Sequence, residues 1–213
     1  MEIMKPNLDG ITECNTIKGV IREAKIRDMD VACCFINKCY EANVETDKME
    51  FSSCEFKDCI CLNSKFEKVY FTDVLFENCD FSNTMFYECN FVRVTFRNCK
   101  LVGSNLCNVN MYNILIDNTN VSYANMSLGT YKEVCFSESK LSNSVIQEVI
   151  FKDVEFDKTN LIASQLCRTN LNGIDVSNCD ITGVAISQDY IKGLIVNEMQ
   201  AVELSKLLGV VVK

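Results

Sequence analysis

The 213-residue sequence contains no histidine, no tryptophan, one proline and only eight glycines. The lack of His removes Ser-His and Cys-His catalysis and the commonest metal ligand. The glycines form neither a GxGxxG motif nor a P-loop, and no CxxC pair indicates a zinc site. Neighbouring acids such as Glu155 and Asp157 are explained most simply as solvated surface groups. The sequence therefore predicts a protein that is not an enzyme and that needs no cofactor or metal ion.

The chain also lacks an apolar run of about 18 residues, so no membrane-spanning helix is expected. Its N-terminus, MEIMKPNLDG, has neither the basic start nor the apolar stretch of a signal peptide, which favours a cytoplasmic protein. The net charge is −8, with 29 acidic residues. This balance argues against direct binding of nucleic acid through a basic surface, and it permits a basic partner.

The sequence is rich, by contrast, in a repeat of five residues. Every fifth position from Phe51 to Val196 is apolar, thirty positions without an insertion. Five is neither the period of a helix, near 3.6, nor that of a strand, 2. A small or β-branched residue lies two positions before nearly all of these centres, and the residues between are mostly polar. Such repeats indicate stacked units that share one continuous core.

Eight of the fourteen cysteines occupy the small position of this repeat. Free Cys is small and readily buried, so we expect these thiols to fill space in the core. Disulfides and metal binding are the alternatives. The eight residues are Cys34, Cys39, Cys54, Cys59, Cys79, Cys89, Cys99 and Cys179.

The unit, small–x–apolar–x–x as in CDF, CNF and SNL, resembles the pentapeptide-repeat family over most of the chain. The resemblance implies an all-β fold: a right-handed, four-sided β-helix in which each pentapeptide forms one side and four form a coil of twenty residues. The sequence supports such a coil, because residues of like size recur every twenty positions. On the side of Phe56, the position two residues before the centre holds mostly bulky, β-branched residues: Cys54, Val74, Val94 and Ile114. On the side of Phe66, the same position holds compact residues: Ser64, Thr84, Ser104 and Ala124.

The repeat frame extends upstream of the regular region, with apolar residues at Ile21 and Ile26. We therefore predict an irregular N-terminal cap over residues 1–20 and a pentapeptide-repeat β-helix over 21–196.

Residues 41–50 interrupt the frame, because Glu41 and Thr46 stand at centre positions. The segment is ten residues long, which is two repeat units, so the repeat resumes in the same register after it. Either the coil continues through it with two sides that have polar centres, or the segment bulges outward as a loop. The two polar centres favour the bulge.

The closing segment NEMQAVELSKLLGVVVK, residues 197–213, has a different pattern. It predicts a short helix from about Glu198 to Gly209, followed by an apolar strand. The segment would cap the open end of the β-helix within one chain, or join two chains. Its apolar surface exceeds what one end can hide, so we predict a two-fold dimer through this segment. The predicted interface residues are Met199, Val202, Leu204, Leu207, Leu208 and Val211.

Sorting the charged residues by side places most of the net charge on the side of Phe56. That side carries eight acidic residues against Lys57, Arg97 and Lys158, a net charge of −5, and the other three sides are balanced. We name it the acidic side and predict that it binds the partner. Its acidic residues are Glu55, Asp58, Glu77, Asp117, Glu138, Glu155, Asp157 and Asp175.

The segment GLIVNEMQAVELSKLLGVVV, residues 193–212, resembles the C-terminal segment of the Qnr and MfpA group of pentapeptide-repeat proteins. Members of that group bind DNA gyrase, lessen fluoroquinolone action, dimerise through a C-terminal helix and are described as DNA mimics. The resemblance implies DNA gyrase as the partner, with topoisomerase IV as a further candidate. The sequence departs from the plasmid-borne members, whose coils carry protruding loops, because residues 51–196 contain no insertion.

A stiff rod with an acidic stripe could dock in a basic DNA-binding groove. The alternative is a structural or interaction scaffold without a topoisomerase partner, on which the acids only maintain solubility. A change in quinolone susceptibility on overexpression would distinguish the two hypotheses.

Overall fold

The computed structural model describes residues 2–211, which form a parallel β-solenoid of about seven turns with a helix at each end. From β2 to β14, paired strands are twenty residues apart, so that Phe51 lies beside Phe71 and Phe71 beside Phe91. The predicted fold class, a four-sided pentapeptide-repeat β-helix with a short C-terminal helix, is confirmed. The elements are β1 Thr12–Cys14, α1 Ile17–Arg27, β2 Val31–Ala32, β3 Cys34–Asn37, β4 Tyr40–Ala42, β5 Glu45–Asp47, β6 Glu50–Lys57, β7 Ile60–Leu62, β8 Lys65–Glu67, β9 Tyr70–Glu77, β10 Met85–Tyr87, β11 Asn90–Arg97, β12 Asn110–Asp117, β13 Thr130–Ser137, β14 Ile150–Asp157 and α2 Glu198–Ser205, with 3₁₀ turns at Gln188–Tyr190 and Lys206–Leu208.

The centre residues of the repeat fill the interior as continuous columns. The ring of Phe71 stacks on Phe51 at 5.3 Å between centroids and on Phe91 at 5.0 Å. Rings on adjacent sides meet edge to face, as do Phe76 and Phe81 at 5.1 Å. Both arrangements suit the charge distribution of aromatic rings, so each ring is stabilised along the column and across it.

The corners of the coil explain the polar residues between the inward positions. From Cys33 to Arg168, a residue with φ near +55° recurs at almost every fifth position. Asn and Asp tolerate this left-handed conformation better than most residues, because their short polar side chains bond locally to the backbone. Asn holds many of these corners, as at Asn78, Asn98 and Asn118.

The small-position cysteines are buried and free, so the predicted packing thiols are confirmed. Their sulfurs also donate to main-chain oxygens, as Cys79 Sγ does to the carbonyl oxygen of Phe56 at 3.3 Å. Burial raises the pKa of the Cys89 thiol to about 12, so this group remains neutral at physiological pH.

The N-terminal end corrects the predicted start of the β-helix. Residues 17–27 form helix α1, which packs Ile17, Ile21 and Ala24 onto the end of the solenoid. Ile26, predicted as an inward centre, is exposed. Ile17, Ile21 and Ala24 are spaced by four and three residues, which is the apolar spacing of a helix. Of these three residues, only Ile21 falls on a centre position of the five-residue repeat. The coils therefore begin near Val31, and residues 21–30 are not repeats.

The predicted bulge at 41–50 is wrong, because the coil continues through it as strands β4 and β5. Thr46 is short enough to be buried at its centre position. Glu41 lies at the open end, where its Oε2 accepts from the backbone N–H of Lys18, in the first turn of α1, at 3.0 Å. A carboxylate is favourable at a helix N-terminus, so this polar centre joins the coil to its cap.

At the C-terminal end, helix α2 closes the last coil through a buried glutamine. The Gln200 side chain donates to the carbonyl oxygens of Val176 and Cys179, both at 2.8 Å. Its Oε1 accepts from the backbone N–H of Asn197, which caps the helix in return. The strand predicted after the helix is absent at Val210 and Val211, and Val212 lies outside the described residues.

Residues 2–8 form an N-terminal arm that runs along the outside of the rod and ends in a turn at Asp9 and Gly10. The backbone N–H of Met4 donates to Asn113 Oδ1 at 2.6 Å, and that of Asn7 donates to Asp73 Oδ1 at 3.0 Å. Asn113 and Asp73 are two coils apart, about 9.6 Å, which three extended residues span. The arm therefore follows the long axis, across the strands.

Candidate partner-binding surface

Strand register brings the eight residues of the acidic side onto one side of the rod. Three of them, Glu77, Asp117 and Asp157, lie in one column of paired positions that also holds Lys57 and Arg97. Glu55, Glu155 and Asp175 lie in a parallel column two residues away, and Asp58 and Glu138 lie at the adjoining corner. Successive members of a column are one strand spacing apart, about 4.8 Å.

A ladder of ion pairs offsets part of the negative charge in the N-terminal half of the acidic side. Lys57 Nζ lies 2.6 Å from Glu77 Oε2, and Arg97 contacts Glu77 at 3.9 Å and Asp117 at 3.3 Å. At the corner, the amide of Asn78 donates to Asp58 at 2.9 Å. Partly exposed pairs of this kind contribute little to stability, but they offset the charges of Glu77 and Asp117 and leave Glu55 and Asp58 without a paired cation among the described residues.

The larger part of the acidic side's net charge of −5 lies in the C-terminal half, where four acids face only Lys158. Neither Asp157 nor Asp175 has a Lys or Arg nitrogen within 4.0 Å among residues 2–211. Asp157 accepts from the Asn178 amide at 2.8 Å. Bonds from Ser177 lower the pKa of Asp175, so that carboxylate stays charged at neutral pH. Glu138 is paired with Lys158 at 3.3 Å, and Glu155 is exposed.

The predicted dimer segment is partly exposed and partly buried. Met199, Val202, Leu207 and Val211 are exposed, whereas Leu204 is packed into the protomer's own core. Leu204 is therefore not part of the exposed set, and the side chain of Leu208 lies outside the described part of the structure. An apolar groove of about 220 Å³ separates α2 from the last coil, lined by residues that include Ile191, Leu194, Val196, Ala201, Leu204 and Leu207.

The N-terminal arm covers part of the acidic side, which the sequence pattern does not reveal. Thr95 and Asn113 point outward, yet only 4 % and 2 % of their surfaces are exposed. In the same two columns, Asp153, two coils beyond Asn113, and Glu155, three coils beyond Thr95, are exposed. The apolar residues Ile3, Pro6 and Leu8 are the sequence signal for this element, and their side chains are half-buried.

Within residues 2–211, no group of three or more Cys, Asp and Glu residues is arranged to hold a metal ion. Nor does any helix of the described residues have the length and apolar character to cross a membrane.

The sequence matches two family models of pentapeptide repeats. A model of the pentapeptide repeat region matches residues 49–126, and a model of eight pentapeptide repeats matches residues 135–173. Together these matches cover more than half of the chain. The chain belongs to the pentapeptide-repeat family. No curated protein matches the sequence.

Solved structures of other pentapeptide-repeat proteins share the fold. Trypsin-treated QnrB1, a plasmid-mediated fluoroquinolone resistance protein, matches with a TM-score of 0.57 and 20 % identity, over 84 % of this chain and 90 % of that one. Full-length QnrB1 matches with a TM-score of 0.44 and 18 % identity, over 94 % and 100 %. HetL, from the cyanobacterium Nostoc sp. strain PCC 7120 and involved in regulation of heterocyst differentiation, matches with a TM-score of 0.39 and 12 % identity, over 84 % and 97 %.

Proposed function

We propose that this pentapeptide-repeat protein is a DNA mimic that binds a type II topoisomerase, DNA gyrase first and topoisomerase IV as a second candidate. In this proposal it is a cytoplasmic binding protein rather than an enzyme, and it modulates the topoisomerase or protects it from fluoroquinolones. The observation that carries the proposal is the alignment of acids on one side of a rigid rod. The fold shared with the fluoroquinolone resistance protein QnrB1 is consistent with it.

The distribution of charge sets the expected binding mode. Duplex DNA carries about one charge per 1.7 Å, far more than this rod, so a complete substitution for DNA is not expected. Asp157 and Asp175 lie toward one end of the acidic side, beyond the ion-pair ladder, and neither has a Lys or Arg nitrogen within 4.0 Å among residues 2–211; Glu155 is exposed beside them. We expect these residues to contact a basic surface, because charge complementarity guides association and fixes orientation.

Dimerisation would lengthen this acidic track. The C-terminal end of the rod exposes four apolar side chains, those of Met199, Val202, Leu207 and Val211. A two-fold contact there would join two rods end to end and hide these side chains from water.

The experiment is a gyrase assay with the purified full-length protein. We expect micromolar protein to reduce supercoiling by DNA gyrase, to reduce quinolone-stabilised DNA cleavage, or both, because it occupies the DNA-binding surface. Unchanged supercoiling and unchanged cleavage at those concentrations would reject the proposal.

The scaffold hypothesis has an observation in its favour. The Lys57–Glu77–Arg97–Asp117 ladder pairs two of the eight acids of the acidic side with cations of the same chain, as a side that only needs solubility would allow. It predicts no effect in the gyrase assay and no change in quinolone susceptibility on overexpression.

A further inference from the structure

Two cysteines meet at the N-terminal end of the rod. Cys14 belongs to strand β1 and Cys34 to strand β3, and the two strands are parallel neighbours. The register pairs Thr12 with Cys34, so Cys14 lies two residues further along the pair. The Sγ atoms of Cys14 and Cys34 are 2.7 Å apart. Because a disulfide bond measures about 2.05 Å, bond formation requires these sulfurs to approach by only about 0.7 Å.

Strand β1 is placed to make this small movement. It is three residues long and lies at the edge of its sheet, where β3 is its neighbour. The backbone N–H of Thr12 donates to the carbonyl oxygen of Cys33 at 2.8 Å. Short edge elements with few such bonds open at a low free-energy cost. A bond between the two sulfurs therefore needs only a local shift of β1, and it would then hold β1 on the rod.

The same two sulfurs are accessible to small solutes. A pocket of about 240 Å³ lies beside helix α1, and both Cys14 and Cys34 line it. Cys14 is half-buried, and 8 % of the surface of Cys34 is exposed. By contrast, Cys59 and Cys79 adjoin each other inside the coil, where their exposed fractions are 0 % and 1 %. A small oxidant can therefore reach the first pair of thiols but not the second.

The environments of the two accessible thiols differ. Burial raises the pKa of the Cys34 thiol, and the neighbouring sulfur of Cys14 raises it further, so Cys34 is protonated at neutral pH. Cys14 is the more exposed of the two. We therefore expect Cys14 to react first with an oxidant, and Cys34 to complete the bond.

We propose that Cys14 and Cys34 form a redox-responsive pair, which a peroxide closes to a disulfide that fastens strand β1 to the first coil. Cys14 follows the N-terminal arm and precedes helix α1, so the bond would anchor both of these elements. Disulfides of cytosolic proteins are mostly transient and redox-sensing, and this pair fits that class. The inference goes beyond the proposed function, because it involves no residue of the acidic side.

The reaction consumes one peroxide and oxidises two thiols. The sulfur of Cys14 attacks one oxygen of hydrogen peroxide and the O–O bond breaks, which gives a sulfenic acid; the hydroxide released takes the thiol proton and leaves as water. The sulfur of Cys34 then attacks the sulfur of Cys14. The S–S bond forms, the S–O bond breaks, and the second hydroxide takes the Cys34 proton and leaves as water. Two thiols thus lose two electrons and two protons, and a reducing dithiol reverses the change.

The test treats the reduced full chain with hydrogen peroxide, blocks the remaining thiols by alkylation and maps disulfides by mass spectrometry after trypsin digestion. Trypsin separates the two sulfurs, because residues 1–18 contain only Cys14 and residues 28–38 contain Cys33 and Cys34. We expect these two fragments to be joined, with the loss of two hydrogen atoms, and to separate on reduction.

Single substitutions identify the sulfurs of the bond. Cys14→Ser and Cys34→Ser should each abolish the joined fragments. The matched control is Cys33→Ser, which changes the adjacent thiol and should leave the joined fragments in place. Thermal unfolding of the reduced proteins checks that all three variants are folded.

The consequence for the N-terminal end is measured by amide hydrogen exchange of residues 12–16. We expect exchange to be at least about tenfold slower in the oxidised chain than in the reduced one, because the bond closes a loop of about twenty residues and so disfavours opening of β1. Peroxide-treated Cys14→Ser should exchange like the reduced parent protein.

Four outcomes would overturn the proposal. They are oxidation that stops at the sulfenic acid of Cys14, a bond that disappears in Cys33→Ser instead of Cys34→Ser, a disulfide that joins two chains, and exchange of residues 12–16 that oxidation leaves unchanged.

Discussion

At the scale of single residues, the four-sided interior gives each centre side chain a fixed set of neighbours. Phe91 stacks on Phe71 at 5.0 Å and meets Phe86 and Phe96 edge-on, each at 5.8 Å between centroids. The surrounding walls are hydrogen-bonded in both axial directions, so they cannot close on a hole. Close packing of this kind makes each inner ring costly to remove.

We therefore expect Phe91→Ala to lower the free energy of unfolding by about 3–5 kcal/mol. Chemical denaturation followed by circular dichroism measures this loss. The control is Tyr70→Ala, an exposed aromatic residue of the neighbouring strand on the outer face of the sheet, which should change stability by no more than about 0.5 kcal/mol. Equal losses in the two variants would contradict the inward assignment of the centre residues.

At the scale of elements, the sequence predicts the coils better than their ends. The coils repeat one five-residue unit, so all thirty centre positions support the same prediction of a β-helix. The pairing of residues twenty apart follows from the recurrence of side chains of similar size at that spacing. Helix α1 occurs once, and its residue Ile21 also fits the frame of five. The helix signals at its ends were available, however: Thr16 caps the N-terminus and Asp28 adopts the left-handed conformation at the C-terminus.

Two other features, the burial of Thr46 and the position of the N-terminal arm, could not be predicted from the sequence pattern, for physical reasons. Thr46 is polar but small, so burial depends on the space that Met49 and the next coil leave. The N-terminal arm is held mainly by two bonds from its main chain, and main-chain bonding does not depend on side-chain type. The acidic side, by contrast, follows directly from the register.

For the C-terminal element, we expect the double substitution Met199→Glu and Val202→Glu to convert a dimer into a monomer of 24.2 kDa. Both side chains are exposed in the single chain, so the change should leave the fold intact while it places charge in the proposed contact. Light scattering coupled to size exclusion measures the mass.

The matched control is Tyr123→Glu with Leu128→Glu, which changes two exposed apolar residues in the middle of the rod. It should leave the dimer intact. A monomeric parent protein, or dissociation by the control pair alone, would contradict dimerisation through this end.

At the scale of the whole molecule, a solenoid converts sequence period into surface pattern. Residues twenty apart line up at the strand spacing, so a few acids per coil become a continuous stripe. Ion pairs offset the negative charge of the stripe near Glu77, and the N-terminal arm covers the neighbouring residue Thr95. The acids that best fit a basic partner are therefore those of the last coils, around Asp157.

The most direct test reverses three acids of this region, Glu138→Lys, Glu155→Lys and Asp157→Lys, and measures the affinity for DNA gyrase. The control reverses three acids on the side of Phe66, Glu67→Lys, Glu88→Lys and Glu148→Lys, for the same change in net charge. We predict that the first variant binds gyrase at least about tenfold more weakly than the parent protein, while the control stays within about threefold. Equal affinities of the two variants for gyrase would contradict binding through the acidic side.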